Sequence, residues 1–126
     1  MKARDFGKRT EELAAAYLRR SGMELRDRNW HCAEGEVDII ARDGEEWVFV
    51  EVKGRRSNAF GPPEAAVGPV KQRHLREAAW RYLMAHDLEE AAWRIDVIAV
   101  VMSPSGRVKR FEHYRNAVSG DVDSCP

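Results

Sequence analysis

Two short runs rich in β-branched and aromatic residues, Val37 to Ala41 and Trp47 to Val52, stand on either side of Asp43-Gly44. Such a dipeptide accepts the positive φ angles of a tight turn, so the stretch from Gly35 to Lys53 is expected to form a β-hairpin. Side chains alternate between the faces of a strand. This puts Glu36, Asp38 and Ile40 on one face of the first strand, with Val37, Ile39 and Ala41 on the other. On the second strand Trp47, Phe49, Glu51 and Lys53 oppose Val48, Val50 and Val52. With Asp43 and Gly44 as the two loop residues, Asp38 is set against Phe49 and Glu36 against Glu51, and Asp38, Glu51 and Lys53 share a face. Diagonal cross-strand neighbours lie about 7–8 Å apart at Cα, near enough for two carboxylates to converge on one divalent ion. The plainer reading is a set of cross-strand ion pairs on a wetted sheet face. Phe49 and Ile40 on that face weigh against it, because charges among apolar groups near a sheet centre need a reason.

The rest of the chain reads as helices and strands around this hairpin. Gly7, Glu11, Ala14, Ala15 and Leu18 recur at helical spacing, predicting a helix from about Asp5 to Arg20 that Ser21-Gly22 ends. Glu11, more than Glu12, faces the protein body; the ordinary use of such a Glu is a pair with Lys8 or Arg4. Met23 to Trp30 reads as an edge strand. After Lys53, the glycines, prolines and basic residues from Gly54 to Pro63 predict a long surface loop suited to a substrate lid, followed by a helical turn at Glu64 to Val67. A helix from Val70 to His86 buries Leu75, Ala78, Ala79, Tyr82 and Leu83. Trp93 to Met102 is a strand in which Arg94 and Asp96 share a face, either as a structural ion pair or as a brace for a catalytic carboxylate. Arg107 to Tyr114 is a last strand, and residues 119–126 form a loose polar tail after a single domain over residues 1–118.

Length and charge narrow the possibilities. A chain of 126 residues, 44% hydrophobic, suits one domain with a real core. Acidic and basic residues balance at 21 each, so no global basic field announces a nucleic-acid partner. Locally the balance tips: from Lys53 to Arg81 there are seven basic residues and two acidic ones. Lys71 and Gln72 lie where a helix begins, and with Arg55, Arg56 and Arg73 they are candidates for phosphate contact, against the alternative of a solvated helix face. Cys32 and Cys125 have no paired spacing and read as free thiols, and His31 beside Cys32 does not make a zinc site. The charged start of the chain and the absence of a long apolar run predict a cytoplasmic protein that does not enter a membrane.

An acid in one strand, Glu-Val-Lys in the next and a third acid from a helix suit phosphodiester hydrolysis. Carboxylates hold hard Mg²⁺ or Mn²⁺ ions, which neutralise phosphate charge and lower the pKa of water. Lys53 is then either the base or the stabiliser of charge on phosphorus. Asp38 followed by Glu51-Val52-Lys53 resembles the core of the PD-(D/E)xK nuclease superfamily, in the arrangement of archaeal Holliday-junction resolvases. Closer still is a resemblance to the bacterial YraN-like family, described as endonuclease-like. It rests on Gly35 to Ala41, Val48 to Lys53, Lys71-Gln72-Arg73, Arg94 to Val97, and Glu11 with Ala14, Tyr17 and Leu18, and spans roughly residues 7–118. Val37 stands where the broad superfamily often has proline.

The resemblance implies an α/β fold, a central mixed β-sheet flanked by helices with a restriction-endonuclease-like core. It implies Asp38, Glu51 and Lys53 as catalytic residues, and Glu11, Asp38 and Glu51 as metal ligands, with Glu36, Arg94 and Asp96 in support. The expected function is a metal-dependent nuclease acting on nucleic acid, DNA before RNA, with branched or damaged DNA as candidate substrates. A homodimer would suit a symmetric junction. The alternative is a nucleic-acid-binding module with an inactive site, working inside a repair or processing complex.

Overall fold

The computed structural model describes residues 3–56 and 67–118. Its elements in chain order are α1 (Ala3–Arg20), β1 (Glu24–Cys32), β2 (Gly35–Asp43), β3 (Glu46–Arg55), α2 (Pro69–Ala85), β4 (Trp93–Met102) and β5 (Val108–Val118). The turn expected at residues 64–67, most of the expected lid and the tail lie outside the described residues, save Val67.

All five strands form one sheet in the order β1-β2-β3-β4-β5. Neighbours run antiparallel except β3 and β4, which are parallel and so need the long connection that carries α2. The sheet is mixed, and a helix covers each face of its centre. On one side α2 lays Leu75, Ala78, Ala79, Tyr82 and Leu83 over Ile40, Trp47, Phe49, Ile95 and Val97. On the other, α1 lays Ala14, Ala15 and Leu18 over Ile39, Val48, Val50, Ile98 and Val100. Both faces of β3 and β4 are thus interior, which is why these strands read as nearly continuous apolar runs. The end of α1 is as expected: Gly22 takes φ +91°, and the Met23 backbone N–H donates to the Leu18 carbonyl at 3.0 Å.

Five local expectations change. The hairpin loop is Gly44-Glu45, with Asp43 paired to Glu46, so Phe49 faces Ile40 rather than Asp38. Gly44 has φ +65°, and a two-residue hairpin with glycine first places the positive φ where it costs least. The register moves by two residues, so β3 keeps its faces. Strict alternation along β2, however, breaks at Asp38. Val37 packs with Ile40 under α2, whereas Ile39 and Ala41 pack toward α1. The Glu36-Asp38-Ile40 face is therefore not a single row.

Gly54 and Arg55, expected in a loop, extend β3 and pair with Val100 and Val101. Gly54 runs under α1 so closely that a Cβ there would stand 2.8 Å from Thr10 Cγ2 and 3.0 Å from Phe6 Cε1. β5 continues past Tyr114 to Val118, which pairs with Ile95. The strand does so through a register shift near Asn116, whose φ of +51° marks the irregularity that the polar Arg115-Asn116 sequence hid. β1 likewise runs on to Cys32.

Candidate active site

The β2–β3 ladder closes at Ile39 and Val50, and the site lies just beyond, where the two strands part. There Asp38 replaces a backbone acceptor with its side chain: the Val52 N–H donates to Asp38 Oδ2 at 2.8 Å. This bond holds the carboxylate against β3 and accounts for the break in alternation. Glu51, one position back on β3, faces the α2 side with Trp47 and Phe49. Asp38 and Glu51 are 9% and 3% exposed, and they stand close enough that the Asp38 charge acts on Glu51.

Two buried acids this close hold protons tightly. Burial pushes both carboxyls above their ordinary range, and the neighbouring Asp38 raises Glu51 further, to about 7. Two ammonium groups oppose that shift. Lys71 Nζ, from the first turn of α2, lies 3.4 Å from Glu51 Oε2, and Lys53 Nζ lies 3.7 Å from the same oxygen. Glu51 is thus flanked from two elements, the helix lysine being the nearer.

Glu11 comes to the site from α1 but does not join the pair. Burial and then the charge of Asp38 raise its carboxyl, so it feels the acids. Its nearest cation is Arg28, 3.8 Å from Glu11 Oε1, although Arg28 gives its hydrogen bond to Glu12 at 2.9 Å. The expected pairing of Glu11 with Lys8 or Arg4 is replaced by this residue of β1. Among the described residues no group of three His, Cys, Asp or Glu side chains stands ready to hold a metal ion. Asp38 and Glu51 alone fit a hard divalent ion in donor chemistry, as two oxygen ligands whose mutual repulsion such an ion would relieve.

The remaining candidates are spread more widely. Glu36 is exposed and pairs in register with His31. Gln72 Nε2 donates to the Val67 carbonyl at 2.9 Å, which ties the start of α2 to the segment before it. Arg73 is exposed, and Arg56 rests over the Phe6 ring at 4.9 Å, on the α1 side and so away from Lys71. Arg55 ends β3.

Arg94 and Asp96 form a separate centre. Arg94 Nε reaches the two Asp96 oxygens at 3.0 and 3.2 Å, Nη1 reaches Glu46 at 2.7 Å and Nη2 reaches Asp43 at 3.2 Å. Asp96, fully buried, also accepts from His113 Nε2 at 2.7 Å and from the Asn116 N–H at 2.8 Å. His113 Nδ1 in turn lies 2.9 Å from the Tyr17 hydroxyl. Burial would push the Asp96 carboxyl up, but these bonds outweigh it and hold it below its usual value. The arrangement is that of a structural pair: it clamps α1, the hairpin and β5 together, and none of these bonds goes to Asp38, Glu51 or Lys53. Tyr17, His113 and Asn116 have no spacing in the sequence that links them to Asp96.

Fold and site together define a single-domain α/β protein with a buried, lysine-flanked carboxylate pair where two strands of a mixed sheet part. The chain belongs to the uncharacterised protein family UPF0102, whose model matches residues 10–100 and so includes Glu11, Asp38, Glu51, Lys53 and Lys71. It is 47% identical over 116 residues to a UPF0102 protein of Arthrobacter sp. (strain FB24), covering 91% of this chain and 98% of that one. A UPF0102 protein of Geobacter sulfurreducens is 48% identical over 113 residues, covering 89% of this chain and 87% of the other. No helix among the described residues is long and apolar enough to cross a membrane.

Proposed function

We propose that this protein is a metal-dependent nuclease of PD-(D/E)xK type, with an endonuclease-like core related to that of Holliday-junction resolvases. Its substrate is nucleic acid, DNA before RNA. The observation that carries the reading is the Asp38–Glu51 pair: two neighbouring buried carboxylates, with Lys53 and Lys71 within 3.7 Å of one Glu51 oxygen. Carboxylates are seldom buried together without a cation or a reaction to serve. Bound Mg²⁺ or Mn²⁺ would supply Lewis acidity toward a phosphate oxygen and a lowered pKa for the attacking water. Asp38 and Glu51 would hold the ion, the Val52 N–H keeping Asp38 in place. Lys53 and Lys71, with flexible stems and Nζ atoms within 3.7 Å of Glu51, are placed to meet the charge of a phosphate. Glu11 serves as an acid at the margin, drawn toward Arg28 in this state.

One observation favours the alternative, a binding module without cleavage inside a repair or processing complex. Glu11 lies 3.8 Å from Arg28 and does not join Asp38 and Glu51, leaving two acids where the resemblance implies three. Incubation with single-stranded, duplex, flap and four-way-junction DNA and with RNA, in Mg²⁺ or Mn²⁺, separates the readings. Cleavage lost in Asp38→Ala and Lys53→Ala supports the enzyme; substrates left intact by wild type while it still binds them support the module. Mn²⁺ calorimetry adds a second readout, and binding that survives Asp38→Ala with Glu51→Ala would count against the site. Sedimentation with junction DNA tests the dimer that two symmetric cuts require.

A further inference from the structure

On the α2 side of the sheet a second feature adjoins the acids. Glu51 pairs in register with Val97 of β4, and Val97 pairs with Tyr114 of β5. Paired positions on adjacent strands face the same side, so Glu51, Val97 and Tyr114 form one row across three strands. The row spans roughly 10 Å, two strand spacings. Over its outer half lies a cleft of about 540 Å³, bounded by Val67 and Gln72 at the start of α2, by Val97 on the floor, and by Tyr114, Arg115 and Ala117 on the edge strand. Gln72 follows Lys71, the residue 3.4 Å from Glu51, so the wall of the cleft and the flank of the acid pair are consecutive residues.

We infer that this cleft is a subsite for one unpaired nucleotide next to the phosphodiester that the Asp38–Glu51 site would hydrolyse. The inference rests on the nuclease reading of that pair. An aliphatic floor and an aromatic wall suit the flat face of a base, and base–aromatic stacking is worth about 1–3 kcal/mol per base. Gln72 offers an amide at the rim, matching the polar edge of a base, while the Arg115 guanidinium is held by Asp43 at 3.4 Å. The volume falls in the range of small-ligand sites, roughly 300–1,000 Å³, and is too small for a base pair with its two backbones. A base held in a duplex cannot enter such a cleft without leaving the stack, so the subsite selects flaps, gaps and loops over continuous duplex.

The test uses the full chain in EDTA, where binding is read without cleavage. Duplexes carrying one unpaired 2-aminopurine, and matched duplexes with the same base paired, are titrated by fluorescence and anisotropy. Wild type is expected to prefer the unpaired site by about tenfold or more. Ala117→Trp, which fills the cleft from an exposed position, should remove that preference and leave matched-duplex binding within about twofold. Equal binding of both duplexes by wild type, or a preference unchanged in Ala117→Trp, overturns the subsite. If Ala117→Trp misfolds, photocrosslinking from an unpaired 4-thiothymidine to wild type decides: adducts on Tyr114 or its neighbours support the cleft, and adducts elsewhere refute it. Failure here is distinct from failure of the nuclease reading. Equal metal-dependent cleavage of both duplexes would leave the enzyme and remove the subsite; a preference without Mn²⁺ binding would do the reverse.

Discussion

Replacing Glu51 by Gln should stabilise the metal-free protein at alkaline pH and do little at acid pH. The Glu51 carboxyl moves from 4.5 when exposed to about 7 in the fold, chiefly through burial and next through Asp38. A group raised on folding contributes stability that is complete below the unfolded value, here about 4.5, and is lost as pH climbs through the folded value near 7. At about 1.36 kcal/mol per pH unit, the ionised Glu51 costs on the order of 3 kcal/mol at pH 8.5 relative to pH 4. Lys71 and Lys53 are already counted in that net figure. Glu51→Gln removes the charge while keeping the shape, so most of the cost should vanish. Denaturant unfolding in EDTA at pH 4 and 8.5 checks this. The expected stability difference between variant and wild type grows by about 2–3 kcal/mol from the lower to the higher pH. At roughly 3–6 °C per kcal/mol, Tm should separate by about 10 °C. The Asp96 centre, whose own pH dependence has the opposite sign, is present in both proteins and cancels. A difference independent of pH, or a variant less stable at pH 8.5, would refute the account of the acid pair. Saturating Mn²⁺ should then close most of that gap at pH 8.5, since an ion at 100 times its Kd adds about 2.7 kcal/mol only to the protein that binds it.

Asp96→Asn leaves Arg94 and His113 facing a neutral amide and should cost about 3 kcal/mol at pH 7 by denaturant unfolding. Because the folded Asp96 value is depressed below 3.8, its contribution is present above that pH and fades below it, so the cost should shrink in strong acid. Gly54→Ala drives a methyl to 2.8 Å from Thr10 Cγ2, a β-branched group buried in α1, and should destabilise the protein by roughly 1–3 kcal/mol, readable as a fall in Tm. Tyr17→Phe removes the hydroxyl that meets His113 and should cost about 1 kcal/mol, with hydrogen exchange rising where α1 meets β5.

Much of this molecule is written in local pattern. The stripe of Leu75, Ala78, Ala79, Tyr82 and Leu83 is buried as its spacing predicts, and β4 runs over the predicted residues, Trp93–Met102. The shared face of Glu51 and Lys53 also follows from alternation along β3, because each depends only on residues a few positions away. Asp38 shows where that reasoning stops. Its neighbours predict a regular strand, yet it leaves the alternation because the Val52 N–H, fourteen residues on, needs an acceptor where the ladder ends. The nearer lysine on Glu51 comes from α2, twenty residues away, and Glu11 is claimed by Arg28 rather than by its own helix. Asp96 finds His113 and Asn116 only because β5 bends at a left-handed residue to reach it. The sequence by itself determined the two helices, the hairpin and which residues of β3 share a face, since periodicity and turn preference act between near neighbours. The tertiary structure alone decided the register, the partners of each charge and the cleft beside the acids, since buried polar groups must be satisfied by whatever distant atom the fold brings within reach.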